Sequence, residues 1–287
     1  MDELSSLIVG LCLMLIMLGM GLSLTVEDFR RIVRQPKAVG IGLLNQLIFL
    51  PLIGMVLAKS LGLSSTIAIG LMILAACPGG ATSNLIAHLA KGDTALSVSL
   101  TAVASVITIF SIPFIIHLSI FEFAGTDEVI ALNAFQMILQ LFMIVIIPVA
   151  VGMIIRSNRP DFAIRMDKPV RKASGILLAL VTIALIVKER ENIGPYFQQA
   201  GVATILLNVS TISLGFITAR LAKLDQRQGL SIAIESGIQN SALAMTIATV
   251  TLGNTSLGIA AAIYTLVMYA SAFFIIITSR RIMMSWQ

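Results

Sequence analysis

"LMILAACPGGATSNLIAHLA", residues 71–90, is long and apolar enough to cross a bilayer, yet it carries Pro-Gly-Gly near its centre. About 20 such residues cover roughly 30 Å of hydrocarbon. Pro78 removes a backbone donor, and Gly79 and Gly80 loosen the turn that follows. Unpaired backbone groups in hydrocarbon cost several kcal/mol each, so this break must be buried in protein or line a polar site. A second interrupted run, "IESGIQNSAL" at 234–243, places Gly237 ahead of a polar pair ending in Asn240. Each break is followed by a short hydrophilic link, Lys91-Gly92-Asp93 or Asn254-Thr255, and then by one more apolar run.

The remaining sequence supports a membrane reading. Of 287 residues, 57% are hydrophobic and 11% charged, against about 25% charged in soluble domains. No large core explains that deficit, because a soluble protein must still cover its surface. Nine apolar runs are expected to cross the membrane, at 5–24, 38–58, 66–90, 94–117, 129–155, 173–187, 198–219, 229–253 and 256–278. The sixth is short, with room to extend into "KEREN". Sixteen of the 19 Lys and Arg fall in the loops after the odd-numbered spans and in the C-terminal tail, including a loop expected at 156–172. The positive-inside rule then puts the N-terminus outside and the C-terminus in the cytoplasm. In that topology the third span runs inward and the eighth outward, the pattern of an inverted repeat whose two broken helices cross near mid-membrane. The fold class is therefore an all-α polytopic membrane protein.

The +5 net charge sits in these short loops and sets topology, so it does not point to nucleic acid. Cys12 and Cys77 read as small buried hydrophobes, with neither zinc spacing nor a disulfide framework. His88 and His117 read as interfacial tips, and Pro113 and Pro148 as kinks.

Glu235 is the one acid deep within an apolar run, and no Lys or Arg of another span is placed to pair with it. Neutral oxygen donors surround the breaks in sequence: Gln46, Ser83, Asn84, Ser97, Thr101, Gln239 and Asn240. Ser97 and Thr101 lie four apart and share a helix face. One carboxylate among neutral oxygens suits Na⁺, or a proton carried by Glu235; zinc or copper would call for imidazole or thiolate, and Mg²⁺ or Ca²⁺ for more carboxylates. Taken singly, the hydroxyls and amides are as well explained by interhelical hydrogen bonding. An intramembrane acid is a functional signal by default.

"CPGGATSNLIAHLAKGDTALSVSLTAVASV" and "ESGIQNSALA", with "NQLIFLPLIG" and "MLGMGLSLTVEDF", resemble the bile acid:sodium symporter family in order and spacing across nearly the whole chain. The resemblance implies two sodium sites at the crossing of the broken helices. The first falls on Ser83, Asn84, Ser97, Thr101 and Glu235. The second falls on Gln46 and Gln239 with backbone oxygens of Glu235, Ser236 and Ile238. It implies a substrate cavity at Asn240, Thr82 and Tyr269, and alternating access between a core (38–128 and 198–287) and a panel (1–37 and 129–197). The chain is expected to begin at the second of the ten spans common in bacterial relatives, as nine-span animal members do. Two departures fall at cavity positions: the family's Thr-Ala is here Ala81-Thr82, and its frequent His-Asn is Tyr269-Ala270.

The expected function is sodium-coupled symport of an organic anion, bile-acid-like or a small carboxylate, by a monomer in the cell membrane, the bacterial inner membrane. A proton-coupled carrier using Glu235 is the alternative, and a channel or sensor a third class. No nucleophile–base pair supports an enzyme.

Overall fold

The computed structural model describes residues 3–124, 133–188, 190–191 and 193–284, and these form helices and connecting turns with no strand among them. Residues 129–132 of the expected fifth span lie outside the described residues. In chain order the helices are α1 (Glu3–Ser23), α2 (Val26–Arg34), α3 (Pro36–Leu44), α4 (Leu50–Ser60), α5 (Ser65–Ala76), α6 (Ala81–Leu89) and α7 (Thr94–Phe123). There follow α8 (Ala134–Leu141), α9 (Ile147–Asn158), α10 (Pro160–Lys188), α11 (Ile193–Leu221), α12 (Gln226–Gly237), α13 (Ser241–Thr246) and α14 (Ile259–Met284).

Helices α3 and α4 are one rod, Pro36–Ser60, joined by a π-helical turn at Asn45–Phe49. The widened turn absorbs the donor lost at Pro51. A second such turn, Phe142–Ile146, precedes Pro148 and joins α8 to α9. Pro113 lies inside a continuous α7. Among the described residues, Pro36–Ser60, Thr94–Phe123, Ala134–Asn158, Gly194–Leu221 and Thr255–Ser279 are each long and apolar enough to cross a membrane. Leu7–Ser23, Ser65–Ala76 and Ser241–Thr251 are shorter apolar helices. The chain is an all-α polytopic membrane protein. Phe110, Phe114, Phe121, Phe273 and Phe274 point outward, where lipid is the solvent.

The expected loop at 156–172 is corrected: α9 runs to Asn158 and α10 begins at Pro160. Pro suits the first helical turn, and Asp161 beside it complements the helix dipole. The sixth apolar run therefore extends backwards from 173, and its helix stops at Lys188 before the rest of "KEREN".

Packing divides the helices into two groups. Helix α1 lies against α9 and α10. Gly21 and Gly152 let α1 and α9 touch backbone to backbone; a Cβ at either would collide with the opposing main chain. In the other group α5 is buried on every side from Ile67 to Ala76, between α4, α7 and α14, as an all-round apolar helix must be. Helix α11 packs on α12 and α14.

Both sequence breaks are present. Helix α5 ends at Ala76 and α6 begins at Ala81; α12 ends at Gly237 and α13 begins at Ser241. The extended residues between them meet: Gly79 and Gln239 pair as an antiparallel bridge, and the Asn240 N–H donates to the Pro78 carbonyl at 2.9 Å. A second tie holds the same helices at one end. The Asp93 N–H donates to the Arg227 carbonyl at 3.1 Å, and the Ser231 hydroxyl donates to the Asp93 carbonyl at 2.9 Å.

Candidate functional site

Glu235, on the last turn of α12, is 2% exposed and lies against the first break and the start of α7. Ser97 Oγ donates to its Oε2 at 3.0 Å, and Thr101 Oγ1 to its Oε1 at 2.5 Å. Both hydroxyls also lie within hydrogen-bond distance of Asn84 Oδ1, at 2.9 and 3.1 Å. Ser83 stands beside the carboxylate and donates to the Gly80 carbonyl at 2.7 Å. A Cβ on Gly79 would run into Glu235 Oε1, so the glycine is what lets the break lie against the acid. The five residues expected to form one site thus converge on one point from α6, α7 and α12. Among the described residues, the ion pairs involve Glu27 and Glu122, not Glu235. The groups that donate to its carboxyl, among the described residues, are hydroxyls.

The second group centres on two amides. Gln46 Nε2 donates to Gln239 Oε1 at 2.8 Å and to the Cys77 carbonyl at 2.7 Å. Gln239 Nε2 turns back across the break to the Ser236 carbonyl at 2.8 Å and the Glu235 carbonyl at 3.3 Å. Ile238 closes α12 by donating its N–H to the Ile234 carbonyl at 2.8 Å. Side-chain and main-chain oxygens are therefore concentrated here, with Glu235 contributing its carboxylate to one group and its backbone to the other.

Asn240, Thr82 and Tyr269 all line one cavity of about 150 Å³, closed on the far side by Ile16 and Met20 of α1 and Ser174 of α10. Asn240 Oδ1 caps α13 by accepting from the Leu243 N–H at 3.1 Å, which leaves its Nδ2 as a donor toward the cavity. Among the described residues, none that lines this cavity is charged.

Two residues that hold the second break were not singled out from sequence. Asn208 Nδ2 and Tyr264 Oη both donate to the Gly237 carbonyl, at 2.7 and 2.8 Å. They satisfy an acceptor that the break would otherwise leave orphaned in the membrane. Asn208, fully buried in α11, was open to the polar-residue-in-a-span signal that found Gln46; Tyr264 carries no such signal.

Known proteins have similar sequences over most of this chain. The family model described as "Sodium Bile acid symporter family" matches residues 10–195. "Uncharacterized sodium-dependent transporter YocS" of Bacillus subtilis (strain 168) is 34% identical over 82% of this chain and 71% of its own length. A protein of Oryza sativa subsp. japonica, "Probable sodium/metabolite cotransporter BASS2, chloroplastic", is 32% identical over 81% of this chain; the match spans only 54%, about half, of that relative. The "Ileal sodium/bile acid cotransporter" of Homo sapiens is 28% identical over 84% of this chain and 69% of its own length. With the model match covering well over half of its residues, the chain belongs to the sodium bile acid symporter family.

Proposed function

We propose that the chain is a secondary transporter that moves an organic anion together with sodium. The observation that carries this reading is Glu235: a buried carboxylate ringed by hydroxyl and amide oxygens, with no basic partner among the described residues. A buried charge without compensation costs several kcal/mol, and a bound Na⁺ offsets that cost with the hard-oxygen chemistry the site offers. Two ions are proposed. One lies among Ser83, Asn84, Ser97, Thr101 and the Glu235 carboxylate. The other lies among Gln46, Gln239 and the carbonyls of Glu235, Ser236 and Ile238, once the Gln239 amide swings off them.

Their positive field extends into the cavity at Asn240, Thr82 and Tyr269, whose described lining residues offer an anion polar groups and no charge. At about 150 Å³ this cavity is below the roughly 300–1,000 Å³ of drug-sized sites, which favours a small carboxylate over a steroid in this conformation. Nine crossings with an external N-terminus are proposed. Helices α1, α9 and α10 form a panel, and the broken helices with α3–α5, α7, α11 and α14 form a core; sliding between them exposes the site alternately. Membrane potential adds about 2.3 kcal/mol per inward charge per 100 mV.

The test is direct binding. Wild-type protein is expected to gain thermal stability with Na⁺ and not with K⁺, and Glu235→Gln, similar in size but uncharged, to lose most of that gain. A wild type indifferent to Na⁺, whose uptake follows an imposed pH gradient, would make Glu235 a proton carrier and end the sodium reading.

A further inference from the structure

The turn at Leu24–Thr25 joins α1 to α2 on the basic rim of the bundle. Helix α2 has the sequence VEDFRRIVR and separates its chemistry by face. Phe29 packs on the core, while Val26 and Val33 are 62% and 83% exposed. Glu27 pairs with Arg30 and Arg34, and the Asp28 carboxylate is engaged by the Thr25 N–H and hydroxyl at 2.8 and 2.7 Å. Arg31 Nε has no hydrogen-bond partner. A short helix with exposed valines and a basic flank fits the plane between headgroups and acyl chains.

Beside this turn, between it and the end of α9, opens a cavity of about 590 Å³. Leu24, Met153 and Ile154 make an apolar wall, and Thr25, Arg156 and Ser157 a polar end. The ion pairs found among the described residues leave Arg156 out. A soluble anion has no use for the apolar wall, and a hydrocarbon has none for the arginine. One molecule with both parts fills it.

We propose that this cavity is a binding site for a single anionic phospholipid. Its phosphate lies against Arg156, with Ser157 as a hydroxyl donor, and one acyl chain follows Met153 and Ile154. The Asp28 carboxylate is engaged by the Thr25 N–H and hydroxyl and does not line the cavity. The bound lipid wedges the turn through which α1 and its partners connect to the rest of the bundle, so occupancy sets how freely the two groups move. The site requires only that the chain sits in a membrane; it does not depend on sodium coupling.

The experiment uses the full-length chain in phosphatidylcholine nanodiscs, with phosphatidylglycerol added in steps, reading melting temperature and, by native mass spectrometry, retained lipid. Wild type should retain phosphatidylglycerol at least about fivefold better than phosphatidylcholine, the size expected from one basic contact, and should melt higher with it. Arg156→Gln and the cavity-filling Met153→Trp should each abolish that preference, while Arg156→Lys keeps most of it. Inorganic phosphate and glycerol phosphate should do nothing. Equal retention of both lipids by wild type, an unaltered preference in both variants, or full reproduction by inorganic phosphate would each overturn the site. Sodium response plays no part in the readout, so failure here is separable from failure of the transport reading.

Discussion

The Asn240 amide donates to the Pro78 carbonyl at 2.9 Å, joining two interruptions that are far apart in the chain. The breaks satisfy one another's backbone. The other carbonyls beside the joint are met by side chains: Cys77 by Gln46, Gly80 by Ser83, Ser236 by Gln239, and Gly237 by Asn208 and Tyr264.

The closeness of Gly79 to Glu235 gives the sharpest single substitution. Gly79→Ala puts a methyl group where the carboxylate oxygen sits, and both neighbours are fixed by the crossing. We expect the protein to insert and accumulate while the Na⁺ concentration for half-maximal stabilisation rises at least about tenfold, the order of losing one buried polar contact. An unchanged Na⁺ titration would mean that Glu235 has room to move and is not held for a cation.

Thr101→Val is nearly isosteric and removes one hydroxyl from the carboxylate. A buried polar contact of this kind is worth about 1–3 kcal/mol, so half-maximal Na⁺ should rise roughly tenfold to a hundredfold in uptake or melting assays. Wild-type sodium dependence in this variant would reduce Thr101 to packing.

Gln46→Leu should act on the second group alone. Its amide bridges Gln239 and the Cys77 carbonyl, so the variant should flatten the steepness of the uptake curve against Na⁺ toward one ion. A Hill slope equal to wild type would argue against a cation between Gln46 and Gln239.

Asn208 and Tyr264 share one acceptor, the Gly237 carbonyl. Asn208→Leu and Tyr264→Phe should each destabilise by about 1–3 kcal/mol. The double variant should cost clearly more than the sum, because only then is the carbonyl left bare. Simple additivity in thermal or denaturant unfolding would show that the two donors act independently.

Much of this was legible in the sequence because membrane helices advertise themselves. The all-helical character, the Pro78-Gly79-Gly80 and Gly237 interruptions, and the lone buried acid at 235 are local features, and these appear where expected. Ser97 and Thr101 share a face by simple helical spacing, and both reach Glu235. Pairing between Gly79 and Gln239 was not legible, since a bridge of two extended residues has no period to detect. Nor was the π-helical turn that carries Gln46, where register changes without a change in composition. Residues 160–172 misled for a different reason: their charges disqualify them as lipid-spanning, but a helix keeps its own backbone bonds and can leave side chains such as Asp161, Arg165 and Lys172 exposed.

The tie between Asp93 and residues Arg227 and Ser231 takes on a mechanical meaning beside the crossing at Gly79 and Gln239. From Ser231 to the end of α12 at Gly237 is roughly 9 Å of helix, and the extended Ile238 and Gln239 carry the chain on to the crossing. One fastening would leave two rods free to scissor about it. Two, spaced along their length, fix a line. The segment carrying α6 is therefore tied to that carrying α12 on both sides of the proposed ion site, and the opening we propose falls along the seam where α1 and α10 face α13 and α14.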